Sequence, residues 1–180
     1  MKIKEVVLDA CCVINIFATG QSEEIFGVLP YQFFITRFVV EQEALRLRSP
    51  DNDLSKEEAI LFNGCVTSGL LTILPEPTEV ELAEFVRFST VLDDGEAWTY
   101  AVALTQDFAV ATDDRKAIRV LNRWAPKVSV VQTSELLYDW AQATRAPDAQ
   151  LRVALAAVRD RARFIPRKGA PNAEWWRSHL

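Results

Sequence analysis

Short apolar runs alternate with longer stretches of helical period along most of the chain. Lys4–Leu8 is a β-branched run suited to a buried strand, and Phe33–Thr36, Leu70–Leu74, Phe108–Thr112 and Val128–Val131 are four more of similar character. Helical patterning fills the gaps at Ser22–Leu29, Phe38–Arg48, Ser55–Ser68, Glu79–Phe88, Glu96–Thr105, Arg115–Trp124 and Ser134–Thr144. Within Phe38–Arg48, Val39, Val40, Glu43 and Leu47 share one face, and Ser55 with Glu58 forms a capping box at the start of the next helix. Pro50-Asp-Asn-Asp and Pro75-Glu-Pro read as turns. Strands separated by helices need crossover connections, so the pattern predicts an α/β protein: three layers, with a five-stranded parallel sheet between helices. Such sheets gather their functional groups at the carboxyl ends of the strands.

After Ala146-Pro147 the pattern changes to an Arg-rich amphipathic helix over Asp148–Arg163, followed by PRKGAPNAEWW. The chain therefore divides into a body of residues 1–146 and a basic helical C-terminal extension of residues 147–180. The Trp175-Trp176 pair docks on the body, stacks a base or binds a partner. Charge follows the same division. The net charge is −5, yet residues 145–180 carry eight Arg or Lys against three carboxylates, leaving 12 basic against 22 acidic residues elsewhere. A protein that coats nucleic acid by charge alone is excluded, whereas an acidic cleft beside a basic appendage is not.

With 180 residues and 49% apolar content the chain can bury one core. Its apolar stretches fall well short of the roughly 20 residues that cross a bilayer, so a soluble cytoplasmic protein with no membrane contact is expected. Three cysteines without a CxxC pair support neither a disulfide framework nor a zinc site, and Cys11 and Cys12 read as buried small hydrophobes. The single histidine, His179, lies at the far end, which excludes Ser-His-Asp, Cys-His and paired-histidine catalysis. No GxGxxG or GxxxxGK[ST] run is present.

What the chain does offer is carboxylates where strands give way to helices: Asp9 in VVLDACC, Glu41 and Glu43 in VVEQEAL, Asp93, Asp94 and Glu96 in LDDGEAW, and Asp113 and Asp114 in VATDDRKA. Each has a competing role as a helix cap. Jointly they point elsewhere, because carboxylates converging from four segments repel unless a divalent cation lies among them. Metal-dependent phosphodiester chemistry follows as the first expectation. Asp9, Glu96 and Asp114 are the candidate direct ligands to Mg²⁺ or Mn²⁺, with Asp113 an alternative ligand. Glu43 is a ligand or a base that orients water, and Glu41, Asp94, Cys11 and Thr112 are supporting or alternative groups. Arg115, Lys116, Arg159, Arg161 and Arg163 are candidate phosphate contacts.

These runs resemble the PIN-domain ribonucleases over about residues 4–140. The resemblance is carried by the strand ending Asp9-Ala10-Cys11, the glutamate Glu43 after the second strand, the helix start GEAWTYAVAL at Glu96, and the strand closing Thr112-Asp113-Asp114. It departs at position 11, where Cys replaces the usual small hydroxyl or amide residue. Glu41 or Glu43, and Asp113 or Asp114, remain alternative registers. The resemblance implies a sheet of order 3-2-1-4-5 and a magnesium- or manganese-dependent nuclease selective for single-stranded RNA. It also implies, as a family habit, a toxin with an antitoxin protein partner, and a homodimer is a further candidate state. The competing classes are a non-catalytic PIN-like module that binds RNA or protein, and a metal-dependent phosphohydrolase of small molecules.

Overall fold

The computed structural model describes residues 4–43 and 53–180, with side chains for 4–42 and 58–180. Five strands, β1 (Lys4–Leu8), β2 (Tyr31–Ile35), β3 (Leu71–Ile73), β4 (Ala109–Ala111) and β5 (Val130–Val131), form one all-parallel sheet in the order β3-β2-β1-β4-β5. Both the fold class and the strand order match the expectation.

Alternation along the strands sorts the core into two layers. Val6 and Leu8, Phe33 and Ile35, Ala109 and Ala111, and Val131 face one way. Val7 and Val110 face the other, with Phe34 and Val130 packed beside them. The first face is covered by α1 (Ala10–Ala18), α2 (Ser22–Val28), α4 (Asp53–Thr67) and α8 (Thr133–Thr144). The second is covered by α5 (Glu79–Ser89), α6 (Asp94–Gln106) and α7 (Arg115–Trp124). Between β2 and α4 the turn α3 (Val39–Glu43) is π-helical, and it buries Val39 and Val40. The rest of the helix expected over Phe38–Arg48 lies outside the described residues, as do the Pro50 turn and the Ser55 side chain of the capping box.

Two helices carried no clear signal. α1 is apolar nearly all round because it is enclosed by the sheet and its neighbours, so it shows no amphipathic stripe. α10 (Ala173–Ser178) is a short helix at the end of the extension. The extension begins with α9 (Asp148–Ala157), which continues into a π-helical turn at Val158–Ala162, and this helical run stops where Arg163 takes a φ of 56°. Its Leu151, Ala154, Leu155, Val158 and Trp176 join the first core layer. Trp176 is fully buried and Trp175 stands edge-on to Tyr138. Of the three readings of the tryptophan pair, the structure shows docking on the body. Among the described residues no helix is long and apolar enough to cross a membrane.

Candidate metal centre at the carboxyl edge

The strand register explains how distant residues meet. Leu8, Ile35, Ile73, Ala111 and Val131 form one row across the sheet. The residues after them therefore share its carboxyl edge, and Asp9 comes to lie beside Thr112. Asp9 N–H donates to Ala111 O at 3.0 Å, and the Thr112 hydroxyl donates to Asp9 Oδ2 at 2.8 Å. Asp9 Oδ1 accepts from Ala10 N–H at 2.8 Å, which also caps α1, and the Cys11 thiol lies 3.3 Å from Oδ2. The carboxylate is thus fixed from three sides and only 4% exposed. Burial pushes its pKa upward, and those hydrogen bonds oppose the rise without cancelling it.

The period of two separates the paired aspartates after β4. Thr112 sits on the same side of the edge as Asp9, and Asp113, one residue on, is turned to the face of α1 and α8. There it accepts from Asn15 Nδ2 at 3.0 Å and Thr133 N–H at 3.1 Å, with the Thr133 hydroxyl and the Cys12 thiol also on Oδ2. Burial still raises the Asp113 pKa despite these donors. Asp114 is exposed and returns to the Asp9 side. Its N–H donates to Thr112 Oγ1 at 3.2 Å, and its Oδ1 caps α7 by accepting from Ala117 N–H at 2.8 Å. Capping uses one of its two oxygens, leaving Oδ2 free among the described residues.

Glu96 completes this side from the first turn of α6. It is half-buried, and its pKa is pushed up to about 7, first by burial and then by the charges of Asp9 and Asp114, with Asp93 contributing further. The charges of Asp9 and Asp114 thus act on Glu96 across the carboxyl edge. Among the described residues no Lys, Arg or His forms an ion pair with Asp9, Glu96, Asp113 or Asp114. Asp93 occupies the N-cap position of α6 without a side-chain cap bond, and Asp94 is exposed in the first turn.

The glutamates after β2 divide differently. Glu41 is exposed and loosely paired with Arg37 at 3.9 Å, and Arg37 also reaches Glu76 at 3.1 Å. The Glu43 side chain lies outside the described residues. Glu41 and Arg37 line a cavity of about 430 Å³ that is otherwise largely apolar, with Phe38, Leu74, Trp98 and Phe108 among its walls.

Of the basic candidates, Arg115 and Lys116 are exposed in the first turn of α7, directly after Asp114. Arg159 is engaged by its neighbour Asp160 at 2.6 Å, and Arg163 is exposed. Arg161 is committed to the fold. It donates to Glu58 Oε1 at 2.7 Å and to the Ala18 carbonyl at 3.2 Å, tying the extension to α1 and α4.

Three residues at this edge were not expected from the sequence. Asn15 and Thr133 anchor Asp113, and the Tyr100 hydroxyl is buried alongside Thr112. Burial and then the Asp9 charge hold the Tyr100 phenol far above its ordinary range. Asn15 left a trace: it is an amide in the otherwise apolar α1, and such a group needs a buried partner. Cys11 Sγ, Cys12 Sγ and an Asp113 oxygen all lie within 4.8 Å of one another, the one such group of His, Cys, Asp or Glu side chains among the described residues; the carboxylates of Asp9, Glu96 and Asp114 stand farther apart than that. No family model matches the chain, and no curated protein matches it.

Proposed function

We propose that the protein is a divalent-metal-dependent ribonuclease of the PIN-domain kind, hydrolysing phosphodiester bonds of single-stranded RNA. The observation that carries this reading is the set of Asp9, Glu96 and Asp114 at the carboxyl edge, where burial and then the charges of Asp9 and Asp114 lift Glu96 to about 7, with no cationic side chain paired to any of them among the described residues. Hard oxygen donors of this kind fit Mg²⁺ or Mn²⁺. When bound, the cation supplies Lewis-acid activation of water and neutralises charge on the scissile phosphate.

The residues then divide the work. Asp9 is held rigid by Thr112 and the start of α1, so its orientation does not have to be found on binding. Asp114 offers its uncapped oxygen, and Glu96 gives up the proton that it holds near neutrality. Glu43 remains a candidate fourth carboxylate. Arg115 and Lys116, exposed one and two residues beyond Asp114, are the candidate contacts to neighbouring phosphates. Arg163 is exposed on the extension, a separate candidate phosphate contact, while Arg161 serves as a brace. The chemistry needs no histidine, in keeping with a chain whose only one is His179. A toxin role with an antitoxin partner belongs to the same proposal.

The small-molecule phosphohydrolase reading is weaker. The cavity behind Arg37 has Glu41, Glu76 and Glu81 in its walls, and the one basic residue among its lining, Arg37, is already paired with Glu41 and Glu76. Cleavage of a fluorescent single-stranded RNA by EDTA-treated protein tests the proposal. Activity is expected to return with Mn²⁺ or Mg²⁺ and to be absent from Asp9→Asn, with RNA binding largely retained. Cleavage that persists in EDTA, or in Asp9→Asn, contradicts it.

A further inference from the structure

Behind the carboxylate cluster, on the face toward α1 and α8, the sheet edge carries donors of a different chemical kind. Cys11 and Cys12 rise from the first turn of α1, and Asp113 reaches them from the end of β4. Cys12 Sγ stands 3.5 Å from Asp113 Oδ2. Sulfur and oxygen ligands sharing one tetrahedral ion, with bonds of about 2.3 and 2.0 Å, stand roughly this far apart.

The surroundings resemble those of ligands held in place for a metal. Asp113 N–H donates to Cys11 Sγ at 3.4 Å, and Thr133 Oγ1 lies 3.3 Å from Cys12 Sγ. Asn15 and Thr133 orient the Asp113 carboxylate, the role that outer hydrogen bonds play around metal ligands. Asp113 Oδ2 is also crowded, because Asn15 Nδ2, Thr133 Oγ1 and Cys12 Sγ all approach one oxygen that has two lone pairs. A cation in place of the Cys12 thiol proton removes one of those competing donors.

We propose that Cys11, Cys12 and Asp113 form a binding site for a thiophilic divalent cation of the zinc class, separate from the all-oxygen cluster of Asp9, Glu96 and Asp114. Two sulfurs and one carboxylate select against Mg²⁺ and Mn²⁺, which prefer oxygen. On binding, each thiol releases its proton to solvent as its sulfur–metal bond forms, and no electron is transferred. The ion enters on the side of Cys11 and Asp113, which are partly exposed, because Cys12 is fully buried. Water is available as a fourth ligand. The site stands or falls independently of ribonuclease activity.

Cobalt(II) added to the metal-free, full-length protein tests this site without any RNA. The expected result is a sulfur-to-cobalt charge-transfer band with strong tetrahedral visible bands, abolished by Zn²⁺ and unaffected by excess Mg²⁺. Cys11→Ser is expected to lose the charge-transfer band. Cys65→Ser is expected to keep it, since Cys65 is buried elsewhere against Ser22. Replacing Cys12 perturbs the core, so the wild-type protein supplies the second readout: alkylation of Cys11 by iodoacetamide, located by mass spectrometry, is slowed by Zn²⁺ and not by Mg²⁺. A cobalt spectrum without charge transfer, a band that survives Cys11→Ser and vanishes in Cys65→Ser, or Cys11 alkylation indifferent to Zn²⁺ overturns the proposal.

Discussion

Replacing Glu96 by Gln measures what burial and the neighbouring carboxylate charges together cost at this edge. In the folded, metal-free protein the Glu96 pKa stands at about 7 against an ordinary 4.5. At about 1.36 kcal/mol per pH unit, that difference corresponds to a ceiling of about 3 kcal/mol. Glu96 is half exposed, and solvent screening reduces the expected effect to about 1–2 kcal/mol. The sign follows from proton binding: the folded state holds the proton more tightly than the unfolded chain. The group therefore adds no penalty below about pH 4.5, an increasing one between 4.5 and 7, and its full penalty above 7. Glu96→Gln removes the charge and keeps the shape. Urea unfolding in EDTA, followed by tryptophan fluorescence, should show the variant more stable than wild type by about 1–2 kcal/mol at pH 8, with the difference closing toward pH 4.5. A variant no more stable than wild type at pH 8, or a difference constant between pH 5 and pH 8, refutes the reasoning.

Two further outcomes concern how the edge is built. Thr133→Val removes a buried hydroxyl from Asp113 and leaves Asn15 short of an acceptor, so urea unfolding should show a loss of about 1–3 kcal/mol; a loss under about 0.5 kcal/mol would mean that Asp113 is not anchored there. Arg161→Ala strands Glu58 and frees the brace between the extension and α1, and should cost about 1–3 kcal/mol, whereas Arg163→Ala should stay within about 0.5 kcal/mol in the same assay. Equal costs for the two arginines would remove the distinction between them.

Much of this architecture was legible because the sheet imposes a strict period on the chain. β1 appeared with its observed ends, and the alternation of strand and helix was enough to predict three layers around a parallel sheet. β4 and β5 are shorter than their apolar runs, since Phe108, Thr112 and Val128 continue the pattern beyond the ladder. α1 was opaque because a helix buried all round has no polar face to mark its period.

The carboxylates could be found from sequence but not their directions. Which of Asp113 and Asp114 faces Asp9 is decided by the register of Ala111 against Leu8, a long-range pairing that one sequence does not display. The Cys11–Cys12–Asp113 group was hidden for the same reason. Its third donor lies about a hundred residues from the first two, so no local spacing announces it.

Everything functional rests on Asp9, Glu96 and Asp114 holding one divalent cation together. Titration of the metal-free protein with Mn²⁺, with free ion counted by electron paramagnetic resonance at pH 8, measures this directly. Wild type should bind Mn²⁺ with an affinity that falls by an order of magnitude or so in each of Asp9→Asn and Glu96→Gln, and should release it as the pH drops below about 7, where the proton reclaims Glu96. Mn²⁺ that does not bind the wild type, or binds all three proteins equally at every pH, contradicts the account.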